Sequence, residues 1–139
     1  MFFETEVLIN RRAEQIWPFL TDARLLTEGG FGIRKLEGSI APGHRLKLWS
    51  EVNPGRAFPL KITGFDPPRL MVWEGGMPFG LFKGVRRFTL AEAPGGATLF
   101  RMREDYSGPL LKLIGKSIPD LNPSFEKFAQ ALKRAAEGR

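Results

Sequence analysis

The sequence predicts an α+β domain in which one antiparallel sheet lies against a long carboxy-terminal helix. Two observations lead to this prediction. Between residues 31 and 106 the chain consists of short segments with apolar and polar residues in alternation, separated by brief turns rich in Gly and Pro, as in antiparallel strands. Asn122–Glu137 instead carries apolar residues at helical spacing. An amphipathic helix that follows a run of strands needs a sheet on which to bury its apolar stripe.

The amino-terminal segment is expected to form one strand and two short helices. Phe2–Asn10 alternates between inward and outward residues, which predicts a half-buried strand. The apolar residues of Ala13–Leu20 recur at helical spacing, and Pro18 is expected to shorten or bend that helix. Asp22 is placed to cap a second helix over Ala23–Thr27.

Six further strands are expected after a cluster of glycines at residues 29–32. They are Ile33–Gly38, Arg45–Val52, Ala57–Phe65, Leu70–Glu74, Phe82–Ala91 and Ala97–Tyr106. Turns are expected at Ala41–Gly43, Asn53–Gly55 and Asp66–Pro68. Ala93–Gly96 is the clearest hairpin signal in the chain. Short strands joined by brief turns indicate an antiparallel meander rather than parallel strands with crossover helices.

The carboxy-terminal segment is expected to be helical in two parts. Leu110–Ile118 has a helical pattern that Pro119 interrupts. Asn122 then serves as a helix cap, with Pro123 at the first helical position and Gly138 as the stop. The apolar stripe of the last helix consists of Phe125, Phe128, Ala129, Leu132 and Ala136.

Length and composition exclude several classes of site. A chain of 139 residues with 42% hydrophobic residues is expected to form one domain, residues 1–139, with a real core. The absence of cysteine excludes disulfides, thiolate metal sites and a cysteine nucleophile. The single histidine, His44, does not support a histidine-based triad or a multi-histidine metal centre. We therefore expect no bound metal and no cofactor.

The net charge of +6 raises nucleic acid or an acidic membrane surface as partners. The basic residues are dispersed, with only short pairs such as Arg11-Arg12 and Lys133-Arg134, so a solvated basic surface is favoured over nucleic-acid binding. No apolar run is long enough to cross a bilayer, and the first ten residues lack the basic start of a signal peptide. A cytoplasmic location is expected, and the oligomeric state is left open.

The order of these segments resembles that of a known superfamily. The similar stretches are AEQIWPFLTD, EGSIAPG, LMVWEGG, RRFTLAEAPGGATLF and DYSGPL. Together they resemble the START-like superfamily, also called SRPBCC or Bet v 1-like, and within it the polyketide cyclase/dehydratase and lipid-transport branch. The resemblance covers nearly the whole chain. It implies a helix-grip fold, in which a curved sheet wraps the last helix around an apolar cavity. Members include lipid and hormone carriers, cyclases and chaperone activators, so the fold alone does not select a function.

The hairpin around Gly95 places one pair of charges on its inner face. Symmetric pairing sets Arg86 opposite Glu104, and four apolar residues share their face by the alternation of a strand. These four are Phe88, Leu90, Phe100 and Met102. They require that face to be the interior, so the two charges are drawn inward, with Tyr106 two places beyond Glu104.

Three interpretations of the charged pair remain open. Arg86 is a polar anchor for a ligand carboxylate or enolate, or the pair is a structural ion pair, or a one-residue register slip places both side chains in solvent. Arg86, Glu104 and Tyr106 are also the candidate catalytic residues. In the superfamily the position that matches Arg86 is often histidine. Because Arg86 departs from that pattern, the resemblance does not by itself assign it an acid/base role.

The leading functional hypothesis is the binding of a small hydrophobic or amphipathic molecule, such as a lipid, a polyketide or an aromatic compound. The candidate ligand-binding residues are Trp73, Met77, Phe79, Arg86, Phe88, Phe100, Met102, Glu104, Phe125, Phe128, Ala129 and Leu132. A cyclase/dehydratase- or hydrolase-type enzyme is the first alternative, and a protein-interaction module is the second. Residues 77–81 place apolar side chains among glycines, which predicts either a mobile lid or a loop tip packed on the last helix.

Overall fold

A computed structural model describes residues 1–138 of the chain. The strands are β1 (Phe2–Ile9), β2 (Ile33–Glu37), β3 (Arg45–Ser50), β4 (Asn53–Asp66), β5 (Leu70–Gly76), β6 (Lys83–Glu92) and β7 (Thr98–Ser107). The helices are α1 (Ala13–Leu20), α2 (Ala23–Glu28), α3 (Leu111–Ile114) and α4 (Asn122–Glu137). All strands join in one antiparallel sheet of order β1-β7-β6-β5-β4-β3-β2. The sheet curls around α4, which confirms the helix-grip arrangement.

The last helix lies against the sheet through the expected stripe. Phe125, Phe128, Ala129 and Leu132 are buried to 2% exposure or less. Their spacing keeps them on one side of the helix, and that side faces β1, β7 and α1. Gly138 ends the helix in the left-handed conformation, with φ of 79°, as expected for a helix stop.

The helix start differs from the expectation that Asn122 is its cap. Asn122 already lies in the first turn of α4, and its backbone N–H donates to Oδ1 of Asp120 at 3.0 Å. The backbone carbonyl of Leu121 accepts from the N–H of Phe125 at 2.9 Å. The cap prediction was wrong because Asp120, two residues earlier, supplies the acceptor that a free helix N-terminus needs.

The turn expected at Asn53–Gly55 was also wrong. The chain turns at residues 51–52, and Asn53 pairs with Ser50 as the first residue of β4. The register then shifts, so that the segment around Pro54 forms a bulge opposite β3. Pairing between β4 and β5 begins only at Leu60. Pro54 therefore lies where the sheet requires no backbone donor on the β5 side, and proline is tolerated there.

The two short helices expected after β1 are present, and they connect β1 at one edge of the sheet to β2 at the other. α1 extends from Ala13 to Leu20, so Pro18 does not shorten it. Oδ1 of Asp22 accepts from the backbone N–H groups of Arg24 and Leu25, both at 3.1 Å, and caps α2. Among the described residues, no helix has the length and hydropathy needed to span a bilayer.

Candidate functional site

The β6–β7 hairpin has the register that its sequence predicts. Arg86 faces Glu104, Phe88 faces Met102, and Leu90 faces Phe100. The apolar members of these pairs are buried, so the face they share is the interior. This register excludes the one-residue slip, because a slip would place the same side chains in solvent.

Arg86 and Glu104 form an ion pair at one end of this interior. Nε of Arg86 donates to Oε1 of Glu104 at 2.5 Å, and their side chains are 21% and 13% exposed. The guanidinium of Arg86 also lies 4.9 Å from the centre of the Phe125 ring, a cation–π distance. Each charge stabilises the other at this degree of burial, because removing either one would leave the other partly desolvated and without a partner.

Tyr106 extends the same polar end. Its ring stacks on Phe82 at 5.6 Å between centres and meets Phe3 edge to face at 6.1 Å. Burial raises the pKa of the phenol well above its usual value, and the negative charge of Glu104 raises it further. Tyr106 is therefore a neutral hydrogen-bond donor at physiological pH.

A glycine makes room for this arrangement. Gly84 lies opposite Tyr106 in the sheet. A Cβ at position 84 would lie 2.8 Å from Oε2 of Glu104 and 3.2 Å from a ring carbon of Tyr106. Both side chains therefore lie over the bare backbone of β6. A glycine inside a strand is a known sign of such a close approach, and it was the available signal that sequence reasoning missed.

A small internal cavity opens beside the ion pair. Its volume is about 60 Å³. Its lining comes from β2, β3, β6, β7, α4 and the segments before β2 and α4. It consists of Phe31, Gly32, Ile33, Leu48, Ser50, Arg86, Met102, Leu121, Ser124, Phe125 and Phe128. This volume holds a few water molecules at most, whereas pockets for drug-sized ligands are roughly 300–1,000 Å³.

A larger depression of about 460 Å³ lies on the other side of the sheet. Its lining includes Lys47, Lys61 and Glu74, which alternate with the buried residues of β3, β4 and β5 and so point outward. None of the candidate site residues borders it. The polar end that the sequence predicts therefore coincides with the smaller, internal cavity.

The candidate ligand-binding residues fall into four groups. Arg86, Met102, Phe125 and Phe128 line the internal cavity. Five others are packed in the core away from it, at 1% exposure or less: Trp73, Phe88, Phe100, Ala129 and Leu132. Glu104 lies beside the cavity as the partner of Arg86. Met77 and Phe79, in contrast, are exposed on the loop between β5 and β6, at 43% and 98%.

Trp73 carries a buried polar atom without a partner. Its side chain is 1% exposed, and Nε1 has no hydrogen-bond acceptor among the described residues. Trp73 pairs with Arg86 across β5 and β6, so both side chains lie on the inner face. An unsatisfied buried donor costs about 1–3 kcal/mol. The interior thus contains an N–H donor without a partner, on the strand next to that of Arg86.

No metal centre is evident among residues 1–138, where no three His, Cys, Asp or Glu side chains are grouped to hold an ion. The arrangement instead combines a small, mainly apolar cavity with the cation of Arg86 in its lining, and with the carboxylate of Glu104 and the neutral phenol of Tyr106 beyond that cation. The cation can bind a polar group, whereas an apolar body would require a larger space.

Comparison with solved structures shows the same fold in other proteins. Norcoclaurine synthase from Thalictrum flavum superposes with a TM-score of 0.74 at 16% identity, over 100% of this chain and 94% of that one. An aromatase/cyclase from a Streptomyces species superposes with a TM-score of 0.74 at 14% identity, over 100% and 94%. A protein from Mesorhizobium loti gives 0.74 at 20% identity, over 99% and 98%. At these identities the likeness shows the fold alone.

Sequence comparison identifies the family directly. Curated protein sequences give no match to this chain. A family model described as polyketide cyclase / dehydrase and lipid transport matches residues 2–137. Because the match spans almost the whole sequence, the resemblance inferred from the short motifs is confirmed. The chain belongs to the polyketide cyclase/dehydrase and lipid transport family, within the Bet v 1-like superfamily.

Proposed function

We propose that residues 1–139 act as one domain that binds a small amphipathic molecule between the sheet and α4. The apolar body of the ligand occupies the space beside Phe128 and Met102, and its carboxylate, enolate or carbonyl oxygen is bound by Arg86. The observation that carries this proposal is the presence of Arg86 in the lining of an otherwise largely apolar internal cavity.

Arg86 has donors to spare for such a ligand. A guanidinium has five N–H donors, and the contact with Glu104 uses the one on Nε. The two terminal nitrogens have no hydrogen-bonded acceptor among the described residues. An acidic ligand group that accepts from them would form a charge-assisted hydrogen bond, which is stronger than a neutral one.

Ligand entry requires the cavity to enlarge, because about 60 Å³ is too little for a lipid or a polyketide. The segment that can move is residues 108–121, which we call the flap. Its helix α3 buries none of its residues, while Leu121 at its end lines the cavity. Segments with few buried apolar contacts open at low free-energy cost. Outward movement of the flap would widen the cavity without disturbing the packed centre of the sheet.

Tyr106 supports a second candidate, an enzyme of the cyclase/dehydratase type. Its raised pKa keeps the phenol protonated beside Glu104 and near Arg86. If the carboxylate of Glu104 accepts a proton from the carbon next to a carbonyl, a neutral phenol and a cation together can stabilise the enolate that forms. The ligand-binding proposal requires Arg86 and the cavity, whereas the enzymatic one requires Tyr106 as well.

Calorimetric titration with decanoate and decanol tests the binding proposal. The two probes share an apolar chain and differ in the acidic head, so wild-type protein should bind decanoate at least about tenfold more tightly, which is about 1.4 kcal/mol. Arg86→Met keeps an apolar side chain of similar length and should abolish this preference. Equal affinity for the two probes in the wild type would refute the anchoring role of Arg86.

A plugged variant tests the location of the ligand. Ser124 lines the cavity from the first turn of α4, so Ser124→Leu should fill it and weaken decanoate binding by at least about tenfold. Gln130→Leu adds the same side chain on the exposed face of the same helix and should leave the affinity unchanged. If Ser124→Leu binds decanoate as tightly as Gln130→Leu does, the ligand does not enter this cavity. Native mass spectrometry of freshly purified protein would identify any ligand that copurifies.

A further inference from the structure

A set of large apolar side chains is exposed at one end of the molecule. Phe79 is 98% exposed and Leu113 is 78% exposed, which is unusual for residues of this size. Met1, Met77 and Leu81 are also exposed, at 49%, 43% and 38%. We call these five residues the apolar end.

Backbone contacts hold these residues in one region. The N–H of Leu110 donates to the carbonyl of Leu81 at 2.9 Å, which ties the flap to the loop that carries Phe79. A Cβ at Gly108 would lie 2.5 Å from the same carbonyl oxygen, so the two segments touch through bare backbone. On the other side of the flap, a Cβ at Gly115 would lie 3.6 Å from Sδ of Met1.

The loop between β5 and β6 leaves the ring of Phe79 exposed. The backbone of Phe79 is in the left-handed region, with φ of 62°, where a bulky side chain is disfavoured. Two hydrogen bonds close the loop around it, from the N–H of Met77 to the carbonyl of Phe82 at 2.8 Å and from the N–H of Leu81 to the carbonyl of Pro78 at 3.3 Å. The loop thus holds Phe79 in a disfavoured backbone conformation with its ring exposed to solvent.

The charges on the segments that carry the apolar end are mainly positive. Residues 77–83 and the flap contain Lys83, Lys112 and Lys116 and one acidic residue, Asp120, which accepts from the backbone N–H of Asn122. Lys83 is paired with Glu74 at 2.8 Å. Lys112 and Lys116 are exposed and have no ion-pair partner among the described residues. A partner that fits this end therefore has a negatively charged surface, for the lysines, and an apolar interior that the exposed side chains can enter.

We propose that the apolar end docks on an anionic lipid surface, with Phe79 and Leu113 inserted among the headgroups and Lys112 and Lys116 against their negative charge. Apolar side chains flanked by lysines are the chemistry of interfacial membrane binding. A second copy of this chain fits less well, because facing apolar ends would bring the same lysines together. The proposal goes beyond the ligand site and holds whether or not the cavity is occupied.

Vesicle flotation tests this docking. Wild-type protein should float with vesicles of phosphatidylcholine and phosphatidylserine and much less with phosphatidylcholine alone. Added salt should weaken the binding, because it screens exposed charges. The double variant Lys112→Gln/Lys116→Gln should reduce binding to the anionic vesicles by at least about tenfold. Failure of the wild type to float with the anionic vesicles would overturn the proposal.

Apolar variants separate insertion from simple attraction between charges. Phe79→Ser and Leu113→Ser should each reduce binding to the anionic vesicles severalfold. Leu8→Ser removes a side chain that is 49% exposed on β1, away from the apolar end, and should bind as the wild type does. Flotation of Phe79→Ser equal to that of Leu8→Ser would refute insertion. A wild-type dimer in analytical ultracentrifugation that Phe79→Ser converts to a monomer would assign this surface to self-association instead.

Discussion

Two phenylalanines show how differently the centre and one end of this molecule are built. Phe128 in the middle of α4 is 2% exposed, and its ring centre lies 4.9 Å from that of Phe31, 5.5 Å from Phe88 and 6.2 Å from Phe100. Phe79 on the β5–β6 loop is 98% exposed. The first ring joins the sheet to its helix, whereas the second contributes no comparable packing. Stability therefore resides in the centre, and the end is available for contacts with other molecules.

The ion pair of Arg86 and Glu104 lies between these two regions. On one side it adjoins the buried aromatic residues, and on the other it is close to the flap. Through Arg86 it gives the lining of the cavity a charged group. Each of the following predictions changes one side of this comparison, in order of decreasing expected effect on stability.

Phe128→Ala should lower the free energy of unfolding by about 3–5 kcal/mol, because the variant loses the transfer energy of the ring and leaves a cavity among the neighbouring rings. Phe79→Ala makes the same chemical change at the exposed end and should stay within about 0.5 kcal/mol of the wild type. Denaturant melts of the two variants measure the difference. A small loss in Phe128→Ala would mean that its ring borders empty space rather than packed core.

Arg86→Met should destabilise the protein by somewhat less than the roughly 3–5 kcal/mol of a fully buried broken pair, because Glu104 would remain without its cation but retains some exposure. The double variant Arg86→Met/Glu104→Leu removes both charges and should recover most of the loss. Chemical denaturation of the single and double variants checks this. A double variant no more stable than Arg86→Met would show that the pair contributes through packing rather than through charge.

Tyr106 should make stability fall at alkaline pH. The raised pKa means that the folded protein keeps the phenolic proton while the unfolded chain releases it near pH 10. Above that pH the folded state binds more protons, so the free energy of unfolding decreases as the pH rises. Below it, Tyr106 contributes no pH dependence.

Tyr106 is the only tyrosine in the sequence, so the ultraviolet absorbance of tyrosinate reports on it alone. In the folded protein this absorbance should appear only well above pH 10. Tyr106→Phe should show a shallower loss of stability in the same alkaline range. A folded-state titration near pH 10 would contradict the burial of the phenol.

Leu113→Ser should have the smallest effect, within about 0.5 kcal/mol on the free energy of unfolding, since the side chain is 78% exposed. Hydrogen exchange of the flap should also be faster than that of β6 and β7 in both the wild type and this variant, because α3 buries none of its residues. Flap amides protected as strongly as those of the hairpin would show that this end is as rigid as the centre.

Much of the fold was predictable because its determinants are local. The alternation in the strands, the Asp22 cap and the Gly138 stop each depend on a few neighbouring residues, and the structure confirms all three. The errors came where the pairing or the hydrogen-bond partner of a residue decides the outcome. Pro54 lies in a bulge opposite β3 instead of in a turn, and Asn122 is the first residue of α4 rather than its cap, with its N–H bound by Asp120.

The candidate site divides in the same way. The pairing of Arg86 with Glu104 could be predicted because a hairpin with a clear turn sets its own register. The rest of the lining could not, since Phe31, Leu48 and Leu121 come from distant parts of the chain and meet only because the sheet curls around α4. The exposure of Phe79 could not be predicted either, because an apolar residue in a loop can belong to a lid, pack against the domain or remain exposed.

The sequence by itself determined the α+β class, the hairpin register and the inward placement of the charged pair, because periodicity and turn chemistry act over short distances. Only the tertiary structure decided the volume of the cavity, the close approach over Gly84 and the face on which apolar residues remain exposed. Those features depend on how tightly the curled sheet closes on the helix. That closure is a sum of many side-chain contacts between segments distant in the sequence, and no local pattern encodes it.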